Sequence, residues 1–418
     1  MTSHGIAPNL ALDQLVTRRR AKGESIVHLG FGEARLPVFP PLAQRLAAGA
    51  HRISYGPVAG DAATRAAVAG YFDRRNLPTA PEQIVVAPGS KPLLLALQLA
   101  IPGDVVLPRP AWNTYAPQAR LAGKTVYEVP IPDDCGGVPE PEALLHTIRA
   151  ARAAGRDPRI VVLTLPDNPT GTVAPPEVIT RIATIAREED LHIVSDEIYR
   201  DLVFDPATVV LSPAEVAPER TTVVTGLSKN LALGGWRIGT ARFSTSPEGE
   251  GVREHVTALA SEIWSSLPGP MQEVAAYAFA EPPEVVLRLA ASARLHGTVT
   301  QAVYDSLVGV GVLCRRPTAG FYLYPDLQPM AETLRRRGIT DSATLQQQLI
   351  DEFGIAVLSG AVLGDDPAAL RFRIATSQLY GDTPEQQQLA LEANDPLTLR
   401  HVAESLARVQ ESFTRLCR

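Results

Sequence analysis

Lysine is scarce in this sequence. Lys22, Lys91, Lys124 and Lys229 are the only lysines among 39 basic residues, and the other 35 are arginine. Arginine cannot form an imine, whereas a desolvated lysine can have its pKa lowered enough to act as a nucleophile. Lys229 lies in the apolar, glycine-flanked segment TGLSKNLALGGWRIG, and Arg237, whose guanidinium suits phosphate recognition, follows eight residues later. This segment alone allows either a Schiff-base lysine beside a phosphate site or an ordinary surface lysine on a helix.

Cysteine, excess positive charge and long apolar stretches are also missing. The three cysteines are scattered without a CxxC pair, which excludes a disulfide framework or zinc site and fits a reducing cytoplasm. The eight histidines form no HExxH or similar pair, so we expect no metal. A net charge of −6 argues against a nucleic-acid partner. No run of about 18 apolar residues occurs, so we expect neither a membrane span nor a signal peptide.

The length of the chain and its pattern of elements predict an α/β protein with two domains. At 418 residues the chain exceeds what one hydrophobic core usually supports. Apolar segments starting near residues 84, 104, 125, 159, 191 and 221 alternate with helical patterns, which predicts a mostly parallel sheet between helices. We expect a large domain over 46–295 and a smaller α+β domain formed by 1–45 and 296–418.

Several polar side chains fall where predicted strands end. Asn168, Asp196, Tyr199 and Lys229 all follow apolar segments at or just beyond such an end. Ligands collect at the carboxyl ends of the strands in parallel α/β sheets. Because the four residues share this position, together they indicate one binding site more strongly than any one of them does alone.

Two glycine turns add candidate binding elements. IVVAPGSKPLLLALQLA reads as a strand, a turn at Gly89 and a helix, so the free amides of Ser90 and Lys91 would form an anion site. Gly32, in SIVHLGFGE, lacks the third glycine of a dinucleotide loop and is better explained as a close-approach glycine lining a ligand. Trp112 lies just past another strand end, where it contacts either a ligand or the core.

The motifs together resemble the class I/II aminotransferase family of fold-type-I pyridoxal 5′-phosphate enzymes. The matching segments run in the family's order over roughly residues 26–380: LGFGEARLP, YGPVAGDAATRAAVAGYF, PGSKPLLLAL, PRPAWNTYAPQARLAG, DNPTGTV, VSDEIYRDLVF, TGLSKNLALGGWRIG, GFYLYPDL and LRFRIATSQ. The spacing of 33 residues from Asp196 to Lys229, with eight more to Arg237, is the most specific part. The resemblance implies a seven-stranded, mostly parallel sheet and a pyridoxal 5′-phosphate-dependent transaminase with ping-pong kinetics.

The resemblance also implies a role for each cofactor residue. Lys229 would bind the cofactor as a Schiff base and then act as general base and acid. Asp196 would keep the pyridine nitrogen protonated. Tyr199 and Asn168 would hydrogen-bond the phenolic oxygen of the ring, and Trp112 would stack on its face.

The phosphate site implied by the resemblance contains residues from three segments. The turn at Gly89, the amides of Ser90 and Lys91, the hydroxyl of Ser228 and the guanidinium of Arg237 would form it. Tyr55 matches a tyrosine that reaches the phosphate of the neighbouring subunit, which implies a homodimer. A tyrosine packed inside its own subunit is the alternative.

The substrate residues implied by the resemblance are less specific. For the α-carboxylate, LRFRIATS offers Arg371 and Arg373, and alignment on Ala-Thr-Ser favours Arg371. Lys91 matches a lysine that reads a distal carboxylate in one bacterial aspartate-type subgroup, which makes glutamate or aspartate a candidate donor. Gly32 would line the same pocket.

Two departures from the family pattern leave the reaction type open. GEARLP replaces the usual glycine-glutamate-proline-aspartate, and SSLPGPMQ carries two prolines where relatives have small polar residues. An oxidase, lyase, decarboxylase or cyclase on the same frame is therefore an alternative. A non-catalytic regulator is a further alternative, which the complete set of cofactor residues disfavours.

Overall fold

Short β-branched segments form the strands of the central sheet, as their sequence predicts. The computed structural model describes residues 5–418. The strands of the protein are β1 (Val27–His28), β2 (Ile84–Ala87), β3 (Asp104–Arg109), β4 (Val126–Pro130), β5 (Pro158–Thr164), β6 (His192–Asp196), β7 (Thr221–Gly226), β8 (Gly239–Arg242), β9 (Tyr322–Leu323), β10 (Ile355–Ala356), β11 (Leu358–Ser359) and β12 (Phe372–Ala375).

Helices alternate with the strands from β2 to β7. They are α1 (Pro8–Ala21), α2 (Pro40–Gly49), α3 (Ala62–Asp73), α4 (Ser90–Ala100), α5 (Tyr115–Leu121), α6 (Pro141–Ala153), α7 (Pro176–Glu188), α8 (Pro213–Val216), α9 (Pro247–Ile263), α10 (Gly269–Ala280), α11 (Pro283–Val308), α12 (Ala331–Arg336), α13 (Ser342–Phe353), α14 (Pro384–Glu392) and α15 (Arg400–Leu416). Within residues 5–418, none of them is long and apolar enough to cross a membrane.

The central sheet has seven strands in the order β2-β8-β7-β6-β5-β3-β4. All neighbours are parallel except that β8 runs antiparallel to β2 and β7. The mostly parallel seven-stranded sheet is therefore confirmed, and the six strands expected from apolar segments are all present. The seventh strand, β8, is only four residues long, and no apolar run in the sequence marks it.

Both faces of this sheet are buried, which explains why its strands read as continuous apolar runs. Val162 and Val194 pack on one side in a cluster with α4 and α9. Val161 and Ile193 pack on the other side in a cluster with α6 and α7. Thr164 and Asp196, the last residues of β5 and β6, are polar and lie at the carboxyl end of the sheet, where the site lies.

A separate hydrophobic cluster joins α11, α13 and α15 to the short strands near the C-terminus. There, β1 pairs with β10, and a three-stranded sheet has the order β11-β12-β9. The division into domains at 45/46 and 295/296 stays a prediction, and its residues 1–4 lie outside the described residues. The last helix, α15, begins at Arg400, after a short 3-10 turn over Pro396–Thr398.

Candidate functional site

A cavity of about 420 Å³ opens at the carboxyl edge of the sheet. Most of the predicted site residues line it. The lining comprises Asn9, Leu10, Phe31, Gly32, Glu33, Ser90, Lys91, Trp112, Tyr115, Thr164, Asn168, Asp196, Ile198, Tyr199, Ser228, Lys229, Gly234, Arg237, Tyr322 and Arg373. Residues far apart in sequence thus meet in one cavity, as the strand-end argument predicts.

Lys229 lies in the turn that follows β7, and its amine points into the cavity. Its Nζ donates a hydrogen bond to the backbone oxygen of Gly32. Burial, reinforced by the nearby guanidinium of Arg373, lowers the pKa of Lys229 to about 8, against the opposing attraction of Glu33 and Asp196. An amine with this pKa is neutral in a substantial fraction of molecules near pH 7.5, which a nucleophile requires.

Asp196 ends β6 and lies beneath the cavity. Its Oδ2 accepts a hydrogen bond from the Tyr115 hydroxyl at 2.8 Å, and that hydroxyl is also 2.8 Å from the Thr164 hydroxyl. Burial raises the pKa of Asp196 to about 6, although the Tyr115 hydrogen bond opposes the shift. Its Oδ1 is buried without a hydrogen-bond partner in the described residues. A buried acceptor left free in this way suits a protonated ring nitrogen.

Asn168 and Tyr199 form a hydrogen-bonded group at the cavity with Tyr322, a tyrosine from the C-terminal part of the chain. The hydroxyls of Tyr199 and Tyr322 are 2.9 Å apart, and Nδ2 of Asn168 lies 3.4 Å from the Tyr199 hydroxyl. Burial raises the pKa of Tyr199 well above its ordinary value. Both hydroxyls therefore keep their protons and can donate to an anionic oxygen.

The guanidinium that lines the cavity belongs to Arg373 and not to Arg371, the residue that the alignment favours. Arg373 donates to Oδ1 of Asn168 at 3.0 Å and to the backbone oxygen of Gly30 at 2.9 Å. Arg371 precedes β12, and its side chain pairs with Asp326 at 2.8 Å and Asp365 at 3.4 Å. Those two carboxylates hold Arg371 outside the lining, whereas the buried Nε of Arg373 has no partner in residues 5–418.

The anion site predicted at the start of α4 lies at the cavity wall. Gly89 has φ +92°, and α4 begins at Ser90, so the free amides of its first turn lie beside Ser228 and Arg237. A Cβ on Gly89 would collide with the Arg237 guanidinium, and a Cβ on Gly239 would collide with the Gly89 and Ser90 backbone. Both glycines are therefore required for the close approach of α4, β8 and Arg237.

Lys91 and Trp112 form the next part of the wall. The Lys91 ammonium is 5.1 Å from the centroid of the Trp112 ring, a cation–π arrangement. Burial, followed by repulsion from Arg237, lowers the pKa of Lys91. The Trp112 ring also meets Tyr115 edge-on, with 5.3 Å between centroids. Trp112 thus lines the cavity while it packs against its neighbours.

Gly32 and Tyr55 have different positions. Gly32 lines the cavity, and a Cβ there would collide with the Tyr322 hydroxyl, as expected of a close-approach glycine. Tyr55 is 91% exposed and does not line the cavity of its own chain. The alternative of a tyrosine packed inside its own subunit is therefore wrong.

Sequence reasoning missed several cavity residues. Tyr115, Tyr322 and Glu33 occur inside segments that carry the family resemblance, but periodicity does not show that their side chains meet. Leu10 of α1 is 40% exposed and lines the cavity, whereas Leu12 and Val16 of the same helix are buried. A helix face that covers a cavity has the same apolar pattern as one that covers a core.

The residues present fit a pyridoxal 5′-phosphate site. The cavity combines a lysine with a lowered pKa, a buried carboxylate with a free oxygen and an anion site at a helix N-terminus. These are the groups needed by an aldehyde, a protonated ring nitrogen and a phosphate, respectively. Within residues 5–418, no group of three or more histidine, cysteine or carboxylate side chains is placed to hold a metal ion. The fold and the site therefore fit the class of pyridoxal-phosphate enzymes that bind their cofactor through a lysine.

Comparisons with known proteins identify the family. The family model described as aminotransferase class I and II matches residues 24–416. The chain therefore belongs to this family of pyridoxal-phosphate enzymes. The chain is 32% identical to the aspartate/prephenate aminotransferase of Thermus thermophilus, over 84% of this chain and 87% of the relative. It is 30% identical to the aspartate aminotransferase of Bacillus subtilis, over 88% and 91%. The solved structure of Thermus thermophilus aspartate aminotransferase with maleate superposes with a TM-score of 0.81 at 27% identity, covering 99% of this chain and 97% of that one.

Proposed function

We propose that this aminotransferase binds pyridoxal 5′-phosphate covalently at Lys229 and takes aspartate or glutamate as its amino donor. One observation carries the proposal: the Lys229 amine, the free oxygen of Asp196, the α4 anion site and the Arg373 guanidinium all line one cavity. An amino acid bound there would have its nitrogen, its carboxylate and the reacting carbon surrounded by complementary groups.

The cofactor would be held through groups already described. Ser90, Lys91, Ser228 and Arg237 would hold the phosphate, and Asp196 would supply the acceptor for the ring nitrogen. When bound, pyridoxal 5′-phosphate supplies an electron sink for the negative charge that develops at the substrate Cα. Asp196, ionised above about pH 6, favours the protonated ring that makes this sink effective.

Lys229 is the residue that can move the proton. Its Nζ would be the group that accepts a proton from the substrate Cα and returns it, and burial in the cavity keeps its pKa near 8. Gly32 accepts a hydrogen bond from Nζ and so keeps the amine at the cavity wall. Tyr199 and Tyr322, whose hydroxyls stay protonated, supply hydrogen bonds without competing for this proton.

Two cations would bind a dicarboxylic substrate. Arg373, oriented by Asn168 and Gly30, suits the α-carboxylate because a guanidinium can bind both of its oxygens. Lys91 adds a second positive charge in the same cavity for a distal carboxylate. The names of the relatives, which specify aspartate, and maleate in the solved neighbour, itself a four-carbon dicarboxylate, support this choice.

A homodimer with Tyr55 contributed across the interface completes the proposal. Tyr55 and Ile53 are each 91% exposed, which is unusual for two large hydrophobic side chains in one short loop. The neighbouring subunit's phosphate is the partner that the family resemblance implies for the Tyr55 hydroxyl. Residence in a reducing cytoplasm stays a prediction from the scattered cysteines.

A half-reaction separates amino transfer from the other chemistries of this cofactor. The holoenzyme mixed with aspartate alone should convert its bound cofactor to pyridoxamine phosphate and release oxaloacetate in equal amounts. Addition of 2-oxoglutarate should then restore the original visible absorbance and yield glutamate. Release of ammonia, carbon dioxide or hydrogen peroxide in place of this exchange would show a lyase, decarboxylase or oxidase.

A further inference from the structure

The residue after Lys229 is tied to a buried carboxylate outside the cavity lining. Asn230 is 3% exposed, and its Nδ2 donates to Oδ2 of Asp201 at 2.8 Å. Its Oδ1 accepts a hydrogen bond from the backbone N–H of Leu231 at 2.8 Å. The oxygen of this amide is therefore hydrogen-bonded within the Lys229 turn, and its nitrogen is hydrogen-bonded to a different loop.

Asp201 belongs to the loop that carries Tyr199. It lies two residues beyond Tyr199, in the short 3-10 turn Arg200–Leu202. Besides Asn230, it accepts hydrogen bonds from the Tyr71 hydroxyl at 3.0 Å and from Arg75 at 2.7 Å. Burial opposes ionisation of Asp201, but the charge of Arg75 and these hydrogen bonds lower its pKa below the ordinary value. The carboxylate is therefore charged and fully partnered.

The far end of this chain of contacts is packed into the core. Arg75 follows α3, its guanidinium lies 3.5 Å from the centroid of the Tyr71 ring, and it also pairs with Glu281. Tyr71 is buried in the cluster between α3 and α10. Asp201 thus connects the packed core of α3 and α10 with the two loops that present Lys229 and Tyr199.

The Lys229 turn needs such an external contact. Within the turn, the backbone N–H of Leu233 donates a hydrogen bond to the backbone oxygen of Leu227 at 3.1 Å. Ala232 has φ +56°, an unfavourable backbone conformation for a residue with a Cβ. The Lys229 side chain must exchange partners during the reaction, so it cannot itself hold the turn in place. A fully satisfied buried polar group specifies one geometry where apolar packing would allow several.

We propose that Asn230 and Asp201 are positioning residues that fix the Lys229 turn against the Tyr199 loop. This role rests on the proposed function, since it concerns the placement of the reacting amine. It predicts that loss of the Asn230–Asp201 hydrogen bond lets the Lys229 amine move toward solvent. The charged groups that face the amine are Glu33, Asp196, Arg237 and Arg373, and none of them is altered by a change at Asn230.

The test variant is Asn230→Leu, which has a similar volume but no amide, so Asp201 keeps Tyr71 and Arg75. Cofactor-free protein is labelled with trace acetic anhydride across a pH series, and the labelling of Lys229 is measured by mass spectrometry relative to the exposed Lys22. The wild-type midpoint should lie near 8. In the variant it should rise by about one pH unit, toward the ordinary lysine value. In the holoenzyme, kcat should fall about tenfold while KM changes less than about twofold.

The matched control is Gln83→Leu. Gln83 is a buried amide that donates to the backbone oxygen of Phe243 at 2.8 Å, at the end of β2 remote from the cavity. The Gln83→Leu substitution should lower Tm without moving the pH midpoint of Lys229 labelling. If Asn230→Leu does not fold, Asn230→Ser, whose hydroxyl is too short to reach Asp201, replaces it. An unchanged midpoint with unchanged kcat in the folded variant overturns the positioning role.

The two proposals fail in different ways. A wild-type protein that captures no pyridoxal 5′-phosphate overturns the proposed function. The labelling midpoint is measured without cofactor, so it still reports whether Asn230 sets the environment of Lys229.

Discussion

Asn168 accepts a hydrogen bond from Arg373 at 3.0 Å, and this contact joins the end of β5 to β12 across the cavity. Arg373 also donates a hydrogen bond to the backbone oxygen of Gly30. Its Nε has no partner in the part of the chain that the structure describes. Two neutral acceptors hold this buried guanidinium in place, and its planar geometry suits a carboxylate ligand.

Arg373→Lys should therefore raise KM for every amino acid and 2-oxo acid substrate by at least about tenfold, because an ammonium cannot bind both carboxylate oxygens. Arg371→Lys is the matched control and should change KM by less than about twofold, since Arg371 pairs with Asp326 and Asp365 outside the cavity. Steady-state kinetics with aspartate, measured on both variants, distinguishes between the two arginines. The reverse ranking would restore Arg371 as the carboxylate residue.

Lys91→Ala should raise KM for aspartate and 2-oxoglutarate by about tenfold and leave KM for alanine and pyruvate nearly unchanged, because only the former carry a distal carboxylate. The backbone amide of residue 91 remains, so cofactor affinity should stay within about twofold. Lys22→Ala, at an exposed position, is the control. An unchanged KM for dicarboxylic substrates would show that Lys91 does not read the distal group.

Tyr115→Phe removes the hydroxyl that lowers the pKa of Asp196. The Asp196 pKa should then rise above about 6, so its carboxylate is lost at higher pH than in the wild type. In a plot of cofactor affinity against pH, the lower limb that Asp196 sets near pH 6, below the Lys229 step near pH 8, should accordingly move upward by about one pH unit. Tyr127→Phe, which removes a tyrosine–Asp104 contact away from the cavity, should leave that limb unmoved.

Tyr55→Phe should weaken cofactor binding about tenfold if its hydroxyl contacts the phosphate of the neighbouring subunit. A mixed dimer of one Tyr55→Phe chain and one Lys229→Ala chain distinguishes the two arrangements. A contact across the interface gives one site with both native residues, and that site should bind the cofactor with wild-type affinity. A contact within the chain leaves each site with one altered residue, and no site would recover.

The sequence predicts the cofactor side of the cavity better than the substrate side. Asp196 ends β6, and Asn168, Tyr199 and Lys229 lie within four residues of the ends of β5, β6 and β7. These strands are parallel neighbours, so the rule for strand ends brings the four residues together without knowledge of packing. Tyr115 escapes this rule because its hydroxyl reaches Asp196 from α5, and no periodicity encodes that contact.

The choice between Arg371 and Arg373 could not be made by spacing. Alternation places both on the same face of a strand, and alignment on Ala-Thr-Ser favours the first. Two carboxylates from other loops, Asp326 and Asp365, hold Arg371 in place, and β12 begins only at Phe372. The outcome depends on tertiary ion pairs, which local sequence does not show.

Covalent trapping of the cofactor tests the central claim most directly. Wild-type protein incubated with pyridoxal 5′-phosphate and reduced with borohydride should carry one cofactor per chain, attached to Lys229 in peptide mapping. The rate of capture should rise with pH through about 8, because the neutral amine is the nucleophile. Lys229→Ala should trap none and keep its fold. Attachment at Lys22, Lys91 or Lys124, or no attachment to the wild type, would contradict the account.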